Sequence, residues 1–248
     1  MKQVLFVLLI ALTFCVPSLA QQIELPLTAR NAREQVITHV GYTASYNSDF
    51  LIPNWVAWEL TKEEAHGTIG RSQQFVPDPM VKGKSASTYD YSRSGYDRGH
   101  MAPAADMKWS QQAMDESFYL SNICPQDHEI NAGQWEQLES RCRGWAKFHG
   151  KVWICCGPIV SKHPRTIGEN KVVVPSGFFK VVCTERRGQY QAIGFIFPNG
   201  PCQGSIWDYA MSVDEVEDLV GHDFFHNLPK DIENAIERSW NEKFWKSN

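Results

Sequence analysis

Asp97, Arg98, Gly99 and His100 stand in a row and together are parts for cutting a phosphodiester. Arg98 can grip a phosphate with paired N–H donors. Two residues on, His100 carries the side chain best suited to take a proton from water near neutral pH. Gly99 between them lets the backbone bend or approach a ligand closely. Four such residues alone could equally make a surface turn, because short motifs are weak out of context. His222 and His226 are spaced four apart, as zinc ligands are on a helix. Gly221 should already have ended that helix, and Asp223 stands where a zinc hydrolase needs glutamate.

These residues need elements to hold them. Ser110 can cap a short helix over residues 111–117, and Phe118 to Ile123 reads as extended. A helix begins near Asn131, where Trp135, Leu138, Cys142 and Trp145 follow at spacings of three and four and form one apolar stripe. Tyr42 to Leu60 reads as two strands around a turn at Pro53, and residues 61–90 as mostly loop. Lys151 to Val160, Lys171 to Thr184 and Gln189 to Pro198 are strands rich in Val, Ile and Phe. Ser212 and Glu215 make a capping box for a helix that Gly221 ends, and Pro229 starts a last helix carrying Ile232, Ile236 and Trp240. Strands and helices are segregated, which gives an α+β class and a single domain.

The wider segment around the motif resembles the DNA/RNA nonspecific endonuclease family, the ββα-metal nucleases with a DRGH motif. The resemblance rests on Asp97 to Pro103, Phe118 to Gln126, Asn131 with Trp135, Leu138 and Glu139, and then Cys155 to Pro158 and Val174 to Lys180. It covers roughly residues 40–225. It implies a central antiparallel sheet flanked by helices, with a ββα-metal core, and an endonuclease that cuts DNA and RNA without sequence specificity. It assigns His100 as general base, Asn131 as the Mg2+ ligand (Mn2+ or another divalent ion could serve) and Arg98 as a phosphate contact. Arg71, on a looser match, is a second phosphate contact, and Asn122 supports the site through hydrogen bonds. Glu139 is eight residues beyond Asn131, about 12 Å of rise and roughly 80° of rotation on a regular helix. It is therefore expected to act through bound water. Cys124 lies inside the matching segment, where a disulfide could anchor the active-site loop. DNA and RNA are the implied substrates, and a homodimer would be in keeping with the family. The alternatives are a small-molecule phosphodiesterase and a non-catalytic secreted nucleic-acid-binding domain.

The bulk properties bear on partners and compartment. The formal charge of −4 argues against a protein held to nucleic acid by overall charge. From Arg71 to Lys108, however, six basic residues face four acidic ones, so the sign reverses locally. Lys2, the apolar run Val4 to Val16 and the small residues Ser18 and Ala20 read as a cleaved export signal over residues 1–20, too short to span a bilayer. The nuclease domain is then residues 21–248, secreted or periplasmic. Six cysteines remain beyond the signal, an even number that suggests disulfides. Cys155 and Cys156 are adjacent on a strand and should point to opposite faces.

Overall fold

The computed structural model describes residues 22–30 and 32–247, so the expected signal at 1–20 lies outside the described residues. The strands are β1 (Gln35–Thr38), β2 (Thr43–Asn47), β3 (Ile52–Thr61), β4 (Asp97–His100), β5 (Ile123–Gln126), β6 (Lys151–Ile159), β7 (Thr166–Ile167), β8 (Val172–Val173), β9 (Gly177–Arg186), β10 (Gln189–Pro198) and β11 (Ala210–Met211). The helices are α1 (Gln111–Glu116), α2 (His128–Ile130), α3 (Glu136–His149), α4 (Val213–Val220), α5 (Lys230–Glu237) and α6 (Glu242–Lys246). Seven strands form one antiparallel sheet in the order β1-β2-β3-β6-β9-β10-β11. This is the expected α+β architecture of a central antiparallel sheet with flanking helices.

Both faces of the sheet are covered, so its central strands are apolar runs and not alternations. One face carries Val56, Trp58, Ile154, Cys156, Phe178, Val182 and Phe195 against Leu138, Cys142 and Trp145 of α3. The other carries Ala57, Trp153, Cys155, Phe179, Val181 and Ala192 against Val213 and Val216 of α4 and Ile236 of α5. Cys155 and Cys156 therefore do face opposite ways, as the period of a strand requires. The apolar stripe expected on α3 is buried throughout: Trp135, Leu138, Cys142 and Trp145 are each 1% exposed or less.

Several boundaries differ from the sequence reading. Pro53 lies inside β3; the chain turns just before it, with Leu51 in the left-handed region at φ 60°. Phe118 to Ile123 is not one extended piece, because Leu120–Asn122 closes a 3-10 turn before β5 begins. The disulfides are absent: all six described cysteines are free thiols, five of them buried. Cys124 is fully buried among core side chains, so no bridge anchors its loop. Buried thiols here behave as small hydrophobes, and the case they made for an oxidising compartment lapses. His222 follows Gly221, which ends α4 in the left-handed region, and its Nδ1 accepts the Ala29 N–H at 2.9 Å. No helical histidine pair exists there.

The segment before β4 is tied down by Asp78. Its Oδ2 accepts the Ser121 hydroxyl at 2.5 Å and lies 2.9 Å from His39 Nε2, while Oδ1 accepts Met80 N–H at 2.8 Å. Burial alone would raise the Asp78 pKa; the hydrogen bonds from His39, Ser121 and Met80 overcome that and hold it below the usual value. A carboxylate with a depressed pKa contributes stability that is present above its unfolded pKa, near 3.9, and lost as pH falls through the folded value. Asp78→Ala is expected to cost roughly 3 kcal/mol, from unpaired buried partners. The check is urea unfolding of both proteins at pH 7 and pH 3, where the difference should shrink at the lower pH.

Candidate active site

β4 and β5 pair antiparallel, with His100 opposite Ile123 and Asp97 opposite Gln126, and the chain then enters the helical segment that carries Asn131. The three pieces make a ββα unit packed against the main sheet. Gly99 is required at the centre of this unit, though not for an unusual backbone angle. A Cβ there would stand 2.1 Å from Gln126 Oε1 and 2.5 Å from Gln126 Cβ, so the close approach is to the opposing strand. Asn122 fixes the exit of β4. Its Oδ1 accepts Ala102 N–H at 2.9 Å, and its Nδ2 donates to Ala102 O at 2.9 Å and Ser117 O at 2.8 Å. It is wholly buried and serves as a clamp beneath the site.

The helix carrying Asn131 is not regular. His128–Ile130 is one α turn and α3 starts at Glu136; between them the chain kinks at Gly133, whose φ of −110° and ψ of −116° are not helical. The kink breaks the regular rotation between Asn131 and Glu139 that an unbroken helix would impose. The two side chains consequently line one pocket of about 280 Å³ with Arg71, His100, Glu136 and Arg143.

Each group in this pocket has a defined setting. The His100 ring is held edge-on to Phe118 at 4.8 Å and tilted against Phe75 at 5.4 Å, and its Nε2 is buried without a hydrogen-bond partner. Burial, reinforced by the Arg71 cation, pushes its pKa down to about 3. The imidazole is neutral at physiological pH, as a proton acceptor must be. Asn131 Nδ2 donates to Asp97 Oδ2 at 2.9 Å, the same oxygen that lies 2.8 Å from His128 Nδ1. Anchoring the amide nitrogen leaves the carbonyl Oδ1 as the atom of this side chain that could take a cation. Glu139 has its pKa pushed up to about 7, chiefly by burial, with Lys180 opposing and Asp106 adding to the rise. Arg143 donates to Asp106 Oδ1 at 2.9 Å, and Asp106 is fully buried.

Of the residues singled out from sequence, Arg71, His100, Asn131 and Glu139 meet in this pocket. Arg98 lies beside it. Its Nη2 donates to Thr88 O at 3.1 Å, and its guanidinium stands over the Phe75 and Tyr91 rings at 5.4 and 5.9 Å. Asn122 lies beneath. Sequence reasoning overlooked Arg143, which is four residues beyond Glu139 on the same helix face, a spacing that could have revealed it. It also overlooked the anchoring role of Asp97. Lys180, wholly buried with its Nζ 4.0 Å from the Trp135 ring centroid, was signalled only by one charge within an apolar strand.

A sequence model of DNA/RNA non-specific endonucleases matches residues 21–231. The chain belongs to that family. It is 37% identical over 223 residues to the mitochondrial nuclease EXOG of Xenopus laevis, covering 83% of this chain and 61% of the relative. It is 34% identical over 211 residues to mitochondrial endonuclease G of Bos taurus, covering 78% and 70%. A solved structure of an EndoG/EndoGI complex, titled as showing the mechanism of EndoG inhibition, superposes with a TM-score of 0.75 at 30% identity, over 81% of this chain and 89% of that one. The chain thus spans about 61% of the length of the EXOG relatives it matches. These relatives are named mitochondrial nucleases, which overturns the expectation of a secreted or periplasmic protein.

The crowding at Gly99 can be tested within this endonuclease fold. Gly99→Ala is expected to destabilise the protein by about 1–3 kcal/mol, the usual cost of overpacking. Guanidinium unfolding measures it, and an unchanged midpoint would mean that Gln126 yields freely.

Proposed function

We propose that this protein is a metal-dependent endonuclease that hydrolyses DNA and RNA without sequence specificity, with His100 as general base and Asn131 as the metal ligand. The reading rests most on one observation: the buried, unpartnered Nε2 of His100 borders the same pocket as Asn131 and Glu139. A polar atom buried without a partner costs free energy, so it awaits one from substrate or solvent. A water beside Nε2 supplies it and hands over its proton as it attacks phosphorus.

The donor set fits a hard divalent ion. One neutral amide oxygen suits Mg2+, which keeps several waters and takes further oxygens from phosphate. When bound, the ion would offset charge on the phosphate and on the departing 3′ oxygen. Asp97 orients Asn131 for this by holding its Nδ2. Glu139, which lines the same pocket, would orient bound water and not ligate directly. Arg71 and Arg143 are the pocket's cations for the scissile phosphate, with Arg98 a nearby reserve of positive charge. The charged groups lining this pocket are Arg71, Arg143, Glu136 and Glu139. Groups that grip phosphate and leave bases alone carry no sequence information.

Plasmid and RNA cleavage with Mg2+ and with EDTA tests the reading. EDTA should abolish cleavage of both polymers, and His100→Ala should lower kcat by roughly 10²–10⁴-fold at unchanged Tm. Asp97→Ala should raise the Mg2+ concentration for half-maximal activity by about 10–100-fold, as loss of a partner behind a metal ligand does. Cleavage that persists in EDTA, or that runs at the wild-type rate in His100→Ala, would remove the assignment.

A further inference from the structure

We propose that Asp214, Glu217 and Glu237 form a second cation site, suited to a hard divalent ion of calcium's size, on the sheet face opposite the catalytic pocket. Asp214 and Glu217 stand one turn apart on α4, and Glu237 ends α5. Both helices cover the face that carries Phe179 and Val181, whereas α3 covers the other. Each of the three offers a carboxylate oxygen, and these lie within 4.8 Å of one another. Two oxygens bound to one calcium at about 2.4 Å can stand up to about 4.8 Å apart.

Surface acids commonly gather without binding anything, so burial is what distinguishes this group. Glu237 is 4% exposed, and its Oε1 has no hydrogen-bond partner among the described residues. Glu233, one turn earlier on α5, is 1% exposed, and its Oε2 is equally unpartnered. Folded chains rarely bury carboxylates unless they are paired or bound to metal. The cation at hand is Lys230, but it pairs with the other Glu233 oxygen, and its side chain is 68% exposed. Glu217 Oε1 accepts Phe224 N–H at 2.7 Å, which fixes that carboxylate in place. Carboxylate oxygens gathered this closely, one of them buried and unpartnered, call for a cation or a shared proton between them. Carboxylates drawn from two separate helices suit calcium, which accepts six to eight oxygens in loose geometry, better than octahedral Mg2+. Such an ion would staple α4 to α5.

The test is thermal unfolding of the full chain, stripped with EDTA and dialysed, against increasing CaCl2. Tm of the wild type should rise with the logarithm of free Ca2+, as for a ligand that binds only the native state. The rise should persist in Asn131→Ala, which removes the ligand proposed for the catalytic metal. It should vanish in the Glu217→Gln/Glu237→Gln double variant. Asp214→Asn, at an exposed position, should weaken it even if the double variant fails to fold. No Ca2+ response in the wild type, or one that survives Asp214→Asn undiminished, overturns the site. A double variant more stable than a calcium-indifferent wild type would identify a buried pair sharing a proton.

Discussion

The hydrogen bond from Trp135 Nε1 to the His100 carbonyl, 3.2 Å long, joins the two halves of the site. His100 sits on β4 and Trp135 closes the kinked segment that begins with Asn131, so this bond sets the distance between the two elements that carry them. The indole that makes it is locked in turn. It is 1% exposed, packs on Phe178 at 5.5 Å and Phe197 at 6.3 Å, and carries the Lys180 ammonium over its ring. A buried cation with no hydrogen bond is costly, and the ring's negative face is its compensation. The sheet, through Lys180, thus props the helical segment, and that segment props His100.

Electrostatics on this side of the sheet follow from the same burial. Lys180, Arg143, Asp106 and Glu139 lie close enough for each to shift its neighbours, with Lys180 and Arg143 opposing the rise of the Glu139 pKa that burial imposes. Taking one member away would leave others uncompensated in a medium of low dielectric, where charges interact strongly. The pocket is a balance of desolvated charges and not a set of independent residues. Beside it, burial and the Arg71 cation keep His100 neutral.

The opposite face is built differently. Its core of Trp55, Phe179, Phe224 and Phe225 is apolar, and the acids of α4 and α5 ring its edge. Thiols occur on both faces, Cys156 on one and Cys155 on the other, and none pairs. An even cysteine count was a sound sign of disulfides only if the chain were exported, and both halves of that inference fell together.

Local chemistry in the sequence determined a good deal. The capping box of Ser212 and Glu215, the left-handed Gly221 and the Ser110 cap all occur as read, because each depends on a few adjacent residues. The apolar stripe of α3 and the α+β class follow from periodicity. The gathering of Arg71, His100, Asn131 and Glu139 was legible through the order of family motifs. Tertiary structure alone decided the rest. A regular helix would have left Glu139 off the Asn131 face; the chain kinks at Gly133 and both residues line one pocket, a break that the apolar stripe of α3 did not announce. The Arg98 bond to Thr88, the fixing of Asn131 by Asp97 and the burial of Lys180 depend on residues 10 and 34 positions away and on neighbouring elements. Long-range packing sets which atoms lose water, and lost water is what moves the pKa values of His100 and Glu139.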